Sequence, residues 1–315
     1  MTRVLITGIS GDIGLSALQI IRRTFPDWGI CGSDLHSESP GAALVDRFLP
    51  SVPSTDASYL SWIKEAVEHH GIHLVVPCSE PEIQFFALND HALSIPVVIA
   101  NAKSIDIGSD KLTTAMVLSE AGLAVPQTSP AVDIWKGHYP HIVKPRDGRG
   151  SRGIFLSQDP NEDAQYRSLF PNSVFQELLS PVDQEITCAI YRTQENNSAV
   201  IALRRRLNGG STSWCEVVNY PEVHELCQQI ATILDLQGSI NIQLIRTPQG
   251  PMVFEINPRF SSTLDMRDQL GFHDLKWSIE ETYLHERPSI RNVVSQGIAF
   301  KVPSTQISTS GLQVD

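Results

Sequence analysis

Strand and helix patterns alternate along the first hundred or so residues, and this alternation constrains the fold more than any other feature. Short apolar runs at residues 3–8 and 72–78 have the length of buried strands, whereas residues 15–24 and 56–70 have the spacing of amphipathic helices. Strands that are separated by helices pair in parallel, with helices on both faces of the sheet. The sequence therefore predicts an α/β unit over residues 1–108.

The first strand leads into a glycine-rich turn of the kind that binds dinucleotides. The stretch VLITGISGDIG contains Gly8, Gly11 and Gly14, and Asp34 follows 20 residues after the last of them. Short-chain dehydrogenases and sugar epimerases share this spacing, but they also need a tyrosine with a lysine four residues later for proton transfer. The chain has no such pair. The first unit is thus predicted to be Rossmann-like, and a nicotinamide-dependent epimerase or reductase stays an alternative.

Composition and charge narrow the class of protein. The chain has 24 Lys and Arg against 35 Asp and Glu, a net charge of −11, which argues against a nucleic-acid partner or an anionic membrane surface. No apolar run approaches the roughly 20 residues that span a bilayer. The five cysteines form no CxxC pair, which is typical of reduced thiols. With no signal-peptide pattern at the start, a cytoplasmic protein is expected.

Beyond residue 108 the pattern changes from alternating strands and helices to hairpins, which predicts an α+β arrangement. Residues 184–193 and 198–207 are predicted to form a hairpin over the polar turn QENN, and residues 239–247 and 251–258 a second one across PQG. Between them, residues 221–234 carry apolar side chains on one helical face. The second half is therefore predicted to contain an antiparallel sheet covered by a helix.

A glycine-rich loop after a short strand has the composition of a phosphate-binding loop. In HIVKPRDGRGSRGI, Lys144 ends the strand, and Gly148, Gly150 and Gly153 follow among arginines and a serine. Glycines let backbone N–H groups approach a polyanion closely, and the lysine supplies a point charge for phosphate oxygens. The alternative is a solvated hairpin tip that is rich in arginine and glycine.

The second predicted hairpin carries polar side chains in the pattern of a magnesium site. Gln243 lies on its first strand, and Glu255 and Asn257, two residues apart on the second, project from one face. Carboxylate and amide oxygens beside phosphates are ligands that Mg²⁺ prefers. Arg259 reaches the same side and could stabilise charge on a phosphoryl group. A half-buried hairpin with solvent-facing polar residues fits this series less well, because Pro258 interrupts it.

The sequence resembles the ATP-grasp superfamily over nearly its whole length. The motifs that carry the resemblance are DKLTTAMVLSEAGLAVP, IVKPRDGRGSRGI, FQELLSPVDQEIT and INIQLI…FEINPRFSST, in the family's order and approximate spacing. The chain is most similar to the half-domains of carbamoyl-phosphate synthase large subunits and to stand-alone carboxylate–amine ligases. This resemblance implies an ATP-grasp fold preceded by a Rossmann-like pre-ATP-grasp domain. The implied domains are residues 1–108, a small lobe at 109–180 and a large lobe at 181–315.

The resemblance also implies a role for each matching position. Lys111 and Lys144 would hold nucleotide phosphates, Glu185 would bind the ribose hydroxyls, and Arg259 would lie near the transferred phosphoryl group. The loop that closes over the phosphates matches Gly148, Arg149, Gly150, Ser151 and Gly153. The hinge whose backbone reads adenine matches Gln176, Glu177, Leu178 and Leu179. The magnesium set matches Gln243, Glu255 and Asn257, with Gln243 standing where many relatives have an acidic residue.

Two further arginines are candidates for the site. Arg204, Arg205 and Arg206 are consecutive, so on a strand Arg205 faces away from the other two, and only one set can line a cleft. We favour Arg206 as a contact to phosphate or acyl phosphate, with a solvated edge strand as the alternative. Arg267, which follows the NPRFSST motif, is a candidate contact to a second substrate, with a surface pair on a helix as the alternative.

The function that the resemblance implies is an ATP- and Mg²⁺-dependent ligase in which Mn²⁺ could substitute for the metal. ATP would convert a substrate carboxylate into an acyl phosphate, and an amine would attack it to form an amide. The partners are then a small carboxylate and an amine, with a homodimer left open. The remaining alternatives are a non-catalytic nucleotide-binding module and a carboxylate or carbamate kinase that needs no amine.

Overall fold

The N-terminal part of the chain is a four-stranded parallel sheet in the computed structural model, which describes residues 1–147, 153–290 and 294–302. Its strands lie in the order β3-β2-β1-β4 and are β1 (Arg3–Thr7), β2 (Gly29–Asp34), β3 (Arg47–Pro50) and β4 (Leu74–Pro77). The helices of this part are α1 (Asp12–Thr24), α2 (Tyr59–His70), α3 (Glu80–Leu88) and α4 (Ala102–Ser109). Beyond β4, one parallel bridge joins Val75 to Val97.

The glycine turn after β1 is explained by packing within the turn. A Cβ on Gly14 would lie 2.4 Å from the carbonyl oxygen of Gly8, so α1 can start this close to the turn only with glycine there. Asp34 accepts backbone hydrogen bonds from Ser10 at 3.1 Å and from Leu35 at 2.8 Å. The acid at the end of β2 therefore holds the turn in place, which accounts for the dinucleotide-like spacing without a dinucleotide.

A small antiparallel sheet follows α5 (Lys111–Glu120). Its strands lie in the order β5-β8-β6-β7 and are β5 (Thr128–Pro130), β6 (His141–Pro145), β7 (Phe155–Ser157) and β8 (Ser173–Glu177), with α6 (Pro160–Leu169) between the last two. Asp110 caps α5 by accepting hydrogen bonds from the N–H groups of Leu112 and Thr113, as the sequence DKLTT suggests. The same aspartate pairs with Arg146, which immediately follows β6, so α5 is tied to the end of that strand.

The third sheet is antiparallel and has six strands in the described residues. Their order is β13-β12-β9-β10-β11-β14, with β9 (Glu185–Arg192), β10 (Ser198–Asn208), β11 (Ser211–Val218), β12 (Gly238–Thr247), β13 (Gly250–Asn257) and β14 (Ile298–Phe300). Both predicted hairpins are present as β9–β10 and β12–β13. The remaining helices are α7 (Pro221–Ile233), α8 (Leu264–Gln269) and α9 (Asp274–Ile279), and a π-helical turn, Glu280–Leu284, continues α9.

Apolar side chains join the sheets to their covering helices. Val223, Leu226 and Ile230 of α7 pack on one face of the six-stranded sheet, and burying each contributes about 1.5–3 kcal/mol. On the N-terminal sheet, α1 shares a cluster with Phe260 and Leu264, which come from the segment after β13. The N-terminal unit and the end of β13 are therefore packed directly against each other. Within the described residues, no helix has the length and apolarity to cross a bilayer.

Candidate active site

Four neighbouring strands of the six-stranded sheet present polar side chains on the face opposite α7. Strand pairing places Gln243 beside both Glu255 and Thr187, and it places Asn241 beside Asn257. The intervening Ile240, Ile242 and Leu244 point to the α7 side and are fully buried. The residues that share the polar face are Glu185, Thr187, Arg205, Asn241, Gln243, Glu255 and Asn257.

The two lysines expected to hold phosphates reach this face from the small sheet and from α5. Lys111 Nζ lies 3.5 Å from Glu255 Oε1, and Lys144 Nζ donates a hydrogen bond of 3.1 Å to the carbonyl oxygen of Phe254. Both lysines are buried, with 8% and 3% exposure respectively. The predicted basic groups and the predicted carboxylate, which come from separate parts of the chain, therefore meet at one place.

Burial changes the electrostatics of Lys144. Its pKa falls to about 8, chiefly because the side chain is desolvated; nearby Glu255 opposes that fall, and nearby Lys111 adds to it. Any additional negative charge nearby would stabilise the ammonium form of Lys144. The arrangement is suited to a polyanion.

The arginine of the polar face is Arg205, which corrects the prediction for Arg206. Arg205 Nη2 donates to Glu185 Oε1 at 3.2 Å, and it is 2.5 Å from the Gln243 amide oxygen in the orientation that satisfies this amide. Arg206 is exposed on the other side of β10, where its guanidinium lies 4.7 Å from the Trp214 ring. Strand alternation separates the two arginines, and the pairing of β10 with β9 decides which of them faces Glu185.

Gln243 lies where the predicted metal set requires it, but its amide is engaged with protein groups. In the satisfied orientation its nitrogen donates to Glu255 Oε2 at 3.2 Å, while its oxygen faces Arg205. An amide oxygen can bind a metal ion only if it points at that ion. A role for Gln243 as a ligand therefore requires its amide to rotate, and that role stays a prediction.

Arg259 links the end of β13 to the N-terminal unit. Its Nη2 donates to Asn257 Oδ1 at 3.1 Å, its Nη1 donates to the carbonyl oxygen of Phe260 at 2.9 Å, and its Nε is 3.5 Å from Glu80 Oε2. Glu80 is buried at the start of α3. Glu80 and Arg259 are far apart in the sequence, so no local pattern indicated their contact.

The predicted adenine hinge lies at the end of β8. Gln176 is buried and donates to Thr128 Oγ1 at 3.0 Å, and the carboxylate of exposed Glu177 accepts a hydrogen bond from the N–H of Gln127 at 3.0 Å. Leu178 is half-buried and Leu179 is buried, both beyond the last paired residue of the strand. The side chains of Gln176 and Glu177 already have protein partners, so adenine recognition here would fall to the backbone.

The glycine-rich loop is only partly among the described residues. Gly148, Arg149, Gly150 and Ser151 lie outside them, so their predicted contacts to phosphate stay predictions. Gly153, which precedes β7, has a φ of +70°, a left-handed conformation that favours glycine. Glu185, predicted to bind ribose, is at the start of β9 with 38% of its side chain exposed, and Arg205 is its salt-bridge partner.

A cavity of about 360 Å³ opens at the carboxyl ends of the parallel strands. It lies beside Glu80, because its walls include the neighbouring residues Ser79, Pro81 and Glu82, together with Gly8 and Asp34. The buried Glu82 accepts hydrogen bonds from Tyr59 at 3.0 Å and from Ser79 at 2.5 Å, and burial raises its pKa. Ligands of open α/β sheets bind at such edges.

Comparisons with known proteins place this fold in one class. A family model described as the ATP-grasp domain matches residues 108–263. The chain is 26% identical over 167 residues to a probable alpha-L-glutamate ligase of Xylella fastidiosa (strain M12), an alignment that covers 47% of this chain and 55% of that protein. The chain thus spans about half the length of this curated relative.

Solved structures share the architecture over most of the chain. N5-carboxyaminoimidazole ribonucleotide synthetase from Thermus thermophilus matches with a TM-score of 0.74 at 15% identity, over 94% of this chain and 82% of that one. Biotin carboxylase from Campylobacter jejuni gives 0.72 at 16% identity, over 94% and 74%. L-amino acid ligase from Bacillus licheniformis gives 0.71 at 15% identity, over 90% and 74%.

The family model and the common architecture agree with the four motifs that suggested this class from the sequence. Residues 108–263 of the chain belong to the ATP-grasp family. Its N-terminal parallel sheet corresponds to the expected Rossmann-like unit, so the predicted fold class is confirmed. Members of this family use ATP and a divalent metal ion.

Proposed function

We propose that the chain is an ATP- and Mg²⁺-dependent ligase that joins a carboxylate to an amine. The observation that carries the proposal is the convergence on Glu255 of buried Lys111 and Lys144 from one side and of Gln243 and Arg205 from the other. The relatives named as an alpha-L-glutamate ligase and an L-amino acid ligase support this reaction type and favour an amino acid as one substrate.

The residues near Glu255 fit one divalent ion bound together with nucleotide. No group of three or more His, Cys, Asp or Glu suited to a metal occurs in the part of the chain that the structure describes. Mg²⁺ usually takes one or two carboxylates and fills its other positions with phosphate oxygens and water, which suits Glu255. Asn257 would join it once its amide oxygen, which accepts a hydrogen bond from Arg259 at 3.1 Å, turns to the ion. Such an ion would polarise the phosphate oxygens and neutralise their charge.

In the proposed mechanism, Lys111 and Lys144 bind the triphosphate beside Glu255. A substrate carboxylate oxygen attacks the γ-phosphorus, and the bond from that phosphorus to the bridging oxygen breaks to release ADP. Arg259 lies at the end of the metal-binding strand and stabilises charge on the transferred group. The amine nitrogen then attacks the acyl carbon, phosphate departs with the bonding electron pair, and the nitrogen loses a proton to give the amide.

A substrate screen tests this proposal. The protein is incubated with MgATP and a matrix of amino acids, other small carboxylic acids and amines, and products are identified by mass spectrometry together with ADP. We expect an amide product in a one-to-one ratio with ADP and phosphate. Full ADP formation without any amine would instead indicate a carboxylate or carbamate kinase. Nucleotide binding without turnover across the matrix would favour a non-catalytic module.

We expect the affinity for ATP to depend on the protonation of Lys144. Phosphate binds the ammonium form and raises the pKa of Lys144 in the complex above its value of about 8 in the free protein. The dissociation constant of ATP should therefore rise as the pH increases through 8, approaching about tenfold per pH unit until the pKa of the complex is reached. Calorimetric titration between about pH 6.5 and 9.5 measures this slope.

The matched variants for this pH dependence are Lys144→Met and Lys276→Met. Lys144→Met should weaken ATP binding at neutral pH and flatten the profile. Lys276 is half-exposed and pairs with Glu280 on its own helical segment, so its replacement should leave the profile unchanged. An affinity in Lys144→Met that still falls at alkaline pH would contradict the assignment.

Arg205 and Arg206 should differ in their effect on ATP binding, which two neighbouring variants test. Arg205→Met removes the partner of Glu185 and Gln243, so ATP should bind about tenfold more weakly, in keeping with about 1.4 kcal/mol for one charge-assisted hydrogen-bond network. Arg206→Met removes a guanidinium that stacks on Trp214, and ATP affinity should change less than about twofold. Calorimetry with AMP-PNP and Mg²⁺ compares them, and equal losses would contradict the placement.

A further inference from the structure

A buried ion pair lies directly behind the segment that carries Arg259. Arg267 of α8 and Asp274 of α9 have no exposed side-chain surface, and they form a bidentate pair with distances of 3.1 Å from Nε to Oδ1 and 2.6 Å from Nη2 to Oδ2. The sequence suggested Arg267 as a contact to a second substrate, but its complete burial excludes direct contact. The role of the pair therefore depends on its other hydrogen bonds.

The guanidinium also holds the loop between β13 and α8. Arg267 Nη1 donates to Ser261 Oγ at 2.8 Å and to Thr263 Oγ1 at 3.1 Å, and these two hydroxyls are 2.9 Å apart. Both residues are buried. Ser261 is two residues after Arg259, so one rigid planar group with fixed donor directions sets the path of the chain just beyond the arginine.

The carboxylate extends the same network to the metal-binding face. Asp274 Oδ2 accepts a hydrogen bond of 2.5 Å from Ser239 Oγ, and Ser239 is on β12 four residues before Gln243. The network thereby fixes the loop after β13 to the neighbouring strand β12 as well as to β13 itself. Arg259, whose guanidinium contacts Asn257, the Phe260 carbonyl and Glu80, depends on this loop for its position.

The cost of desolvation argues against stability as the only role of this ion pair. Removing two charges from water carries a large desolvation penalty, so a buried ion pair commonly contributes little net stability compared with apolar residues of the same size. Such a pair does, however, permit few alternative arrangements, because each displaced donor or acceptor would be left buried without a partner. The network is suited to fixing one conformation of the segment.

We propose that Arg267 and Asp274 are positioning residues that, through Ser261 and Thr263, hold Arg259 at the place where phosphoryl transfer occurs. The inference rests on the proposed function, because it assigns the importance of the loop to that reaction. Displacement of a reacting or stabilising group by about 1 Å can lower a rate by about a hundredfold. Loosening the loop should therefore lower turnover more than it lowers nucleotide affinity.

The test removes the two hydroxyls and keeps the ion pair. In the Ser261→Ala, Thr263→Val double variant, kcat for ADP release should fall at least about tenfold, whereas the Kd of AMP-PNP with Mg²⁺ should change less than about twofold. Thr282→Val is the control, since its hydroxyl bonds to the Ser278 carbonyl within the helical segment that follows. An unchanged kcat in the double variant would overturn the proposal.

Hydrogen exchange gives a readout that does not need a known substrate. Peptides that contain residues 258–264 should exchange faster in the double variant, while peptides from β12 and β13 keep their protection. Exchange that stays unchanged in 258–264, or that rises equally throughout the large sheet, would overturn the positioning role whether or not the protein proves to be a ligase. Failure of the substrate screen with localised exchange would instead count against the proposed function alone.

A double-mutant cycle separates positioning from general loosening. In an Arg259→Met background the loop has no guanidinium to position, so removing the two hydroxyls should lower kcat by less than about twofold further. A second, fully multiplicative loss would show that the hydroxyls act independently of Arg259 and would overturn the proposal.

Discussion

Replacement of Glu255 by glutamine should lower the rate of ADP release by at least about 10³-fold, which corresponds to about 4 kcal/mol of transition-state stabilisation. Glutamine preserves the size of the side chain and its contact with Gln243. It removes the carboxylate that lies 3.5 Å from the Lys111 ammonium. The loss follows because the proposed ion would retain only neutral oxygens from the protein. Coupled assay of ADP with the substrates found by the screen measures it.

The control for Glu255 lies on the same sheet but on its other face. Glu216→Gln removes a carboxylate that pairs with Arg204 at 2.5 Å, with about a third of the glutamate exposed. Surface pairs of this kind contribute about 0–1 kcal/mol to stability, so turnover should stay within about twofold of the parent. Thermal unfolding of both variants checks that each is folded. Equal activity of the parent and Glu255→Gln would exclude the metal role of Glu255.

The elements of the fold were largely predictable because most of them are local in sequence. Apolar alternation and turn residues predicted the β9–β10 and β12–β13 hairpins, and a helical apolar face predicted α7. β11 and β14 were not predicted. β14 is short and pairs with β11 across a long stretch of intervening chain, so its pairing depends on contacts that no local pattern contains. Short strands of this kind are set by the rest of the sheet.

The candidate site was predictable to the extent that its residues follow strand alternation. Glu255 and Asn257 are two apart and therefore share a face whatever the sheet around them. The choice between Arg205 and Arg206 needed more, because alternation separates them but cannot say which faces Glu185. That answer depends on the register in which β10 pairs with β9. Likewise, the contact between Arg259 and Glu80 joins residues 179 positions apart, and it follows only from the packing of two units.

Replacement of Arg259 by methionine should lower kcat by about 10²- to 10³-fold while leaving the KM for ATP within about threefold of the parent. The different responses of kcat and KM are expected because Lys111 and Lys144 bind the phosphates in the ground state, whereas Arg259 stabilises the charge that develops on the transferred group. Its guanidinium contacts Asn257 at 3.1 Å, so it lies at the end of the strand proposed to hold the metal ion. A lysine at this position should restore only part of the rate, because one ammonium cannot contact Asn257, the Phe260 carbonyl and Glu80 with the same geometry.

Arg246→Met is the matched control for Arg259→Met. Arg246 is on β12, lies 3.7 Å over the Tyr220 ring and pairs with Glu222 at 2.8 Å, so it has a comparable set of contacts away from the polar face. Its loss should lower stability slightly and leave kcat unchanged. If Arg259→Met instead raised the KM for ATP and kept kcat, Arg259 would be a ground-state phosphate ligand. Arg259 would then have the ground-state role assigned to the two lysines, and the lysines would have the transition-state role. The reason is that only a group that binds more strongly in the transition state can raise kcat.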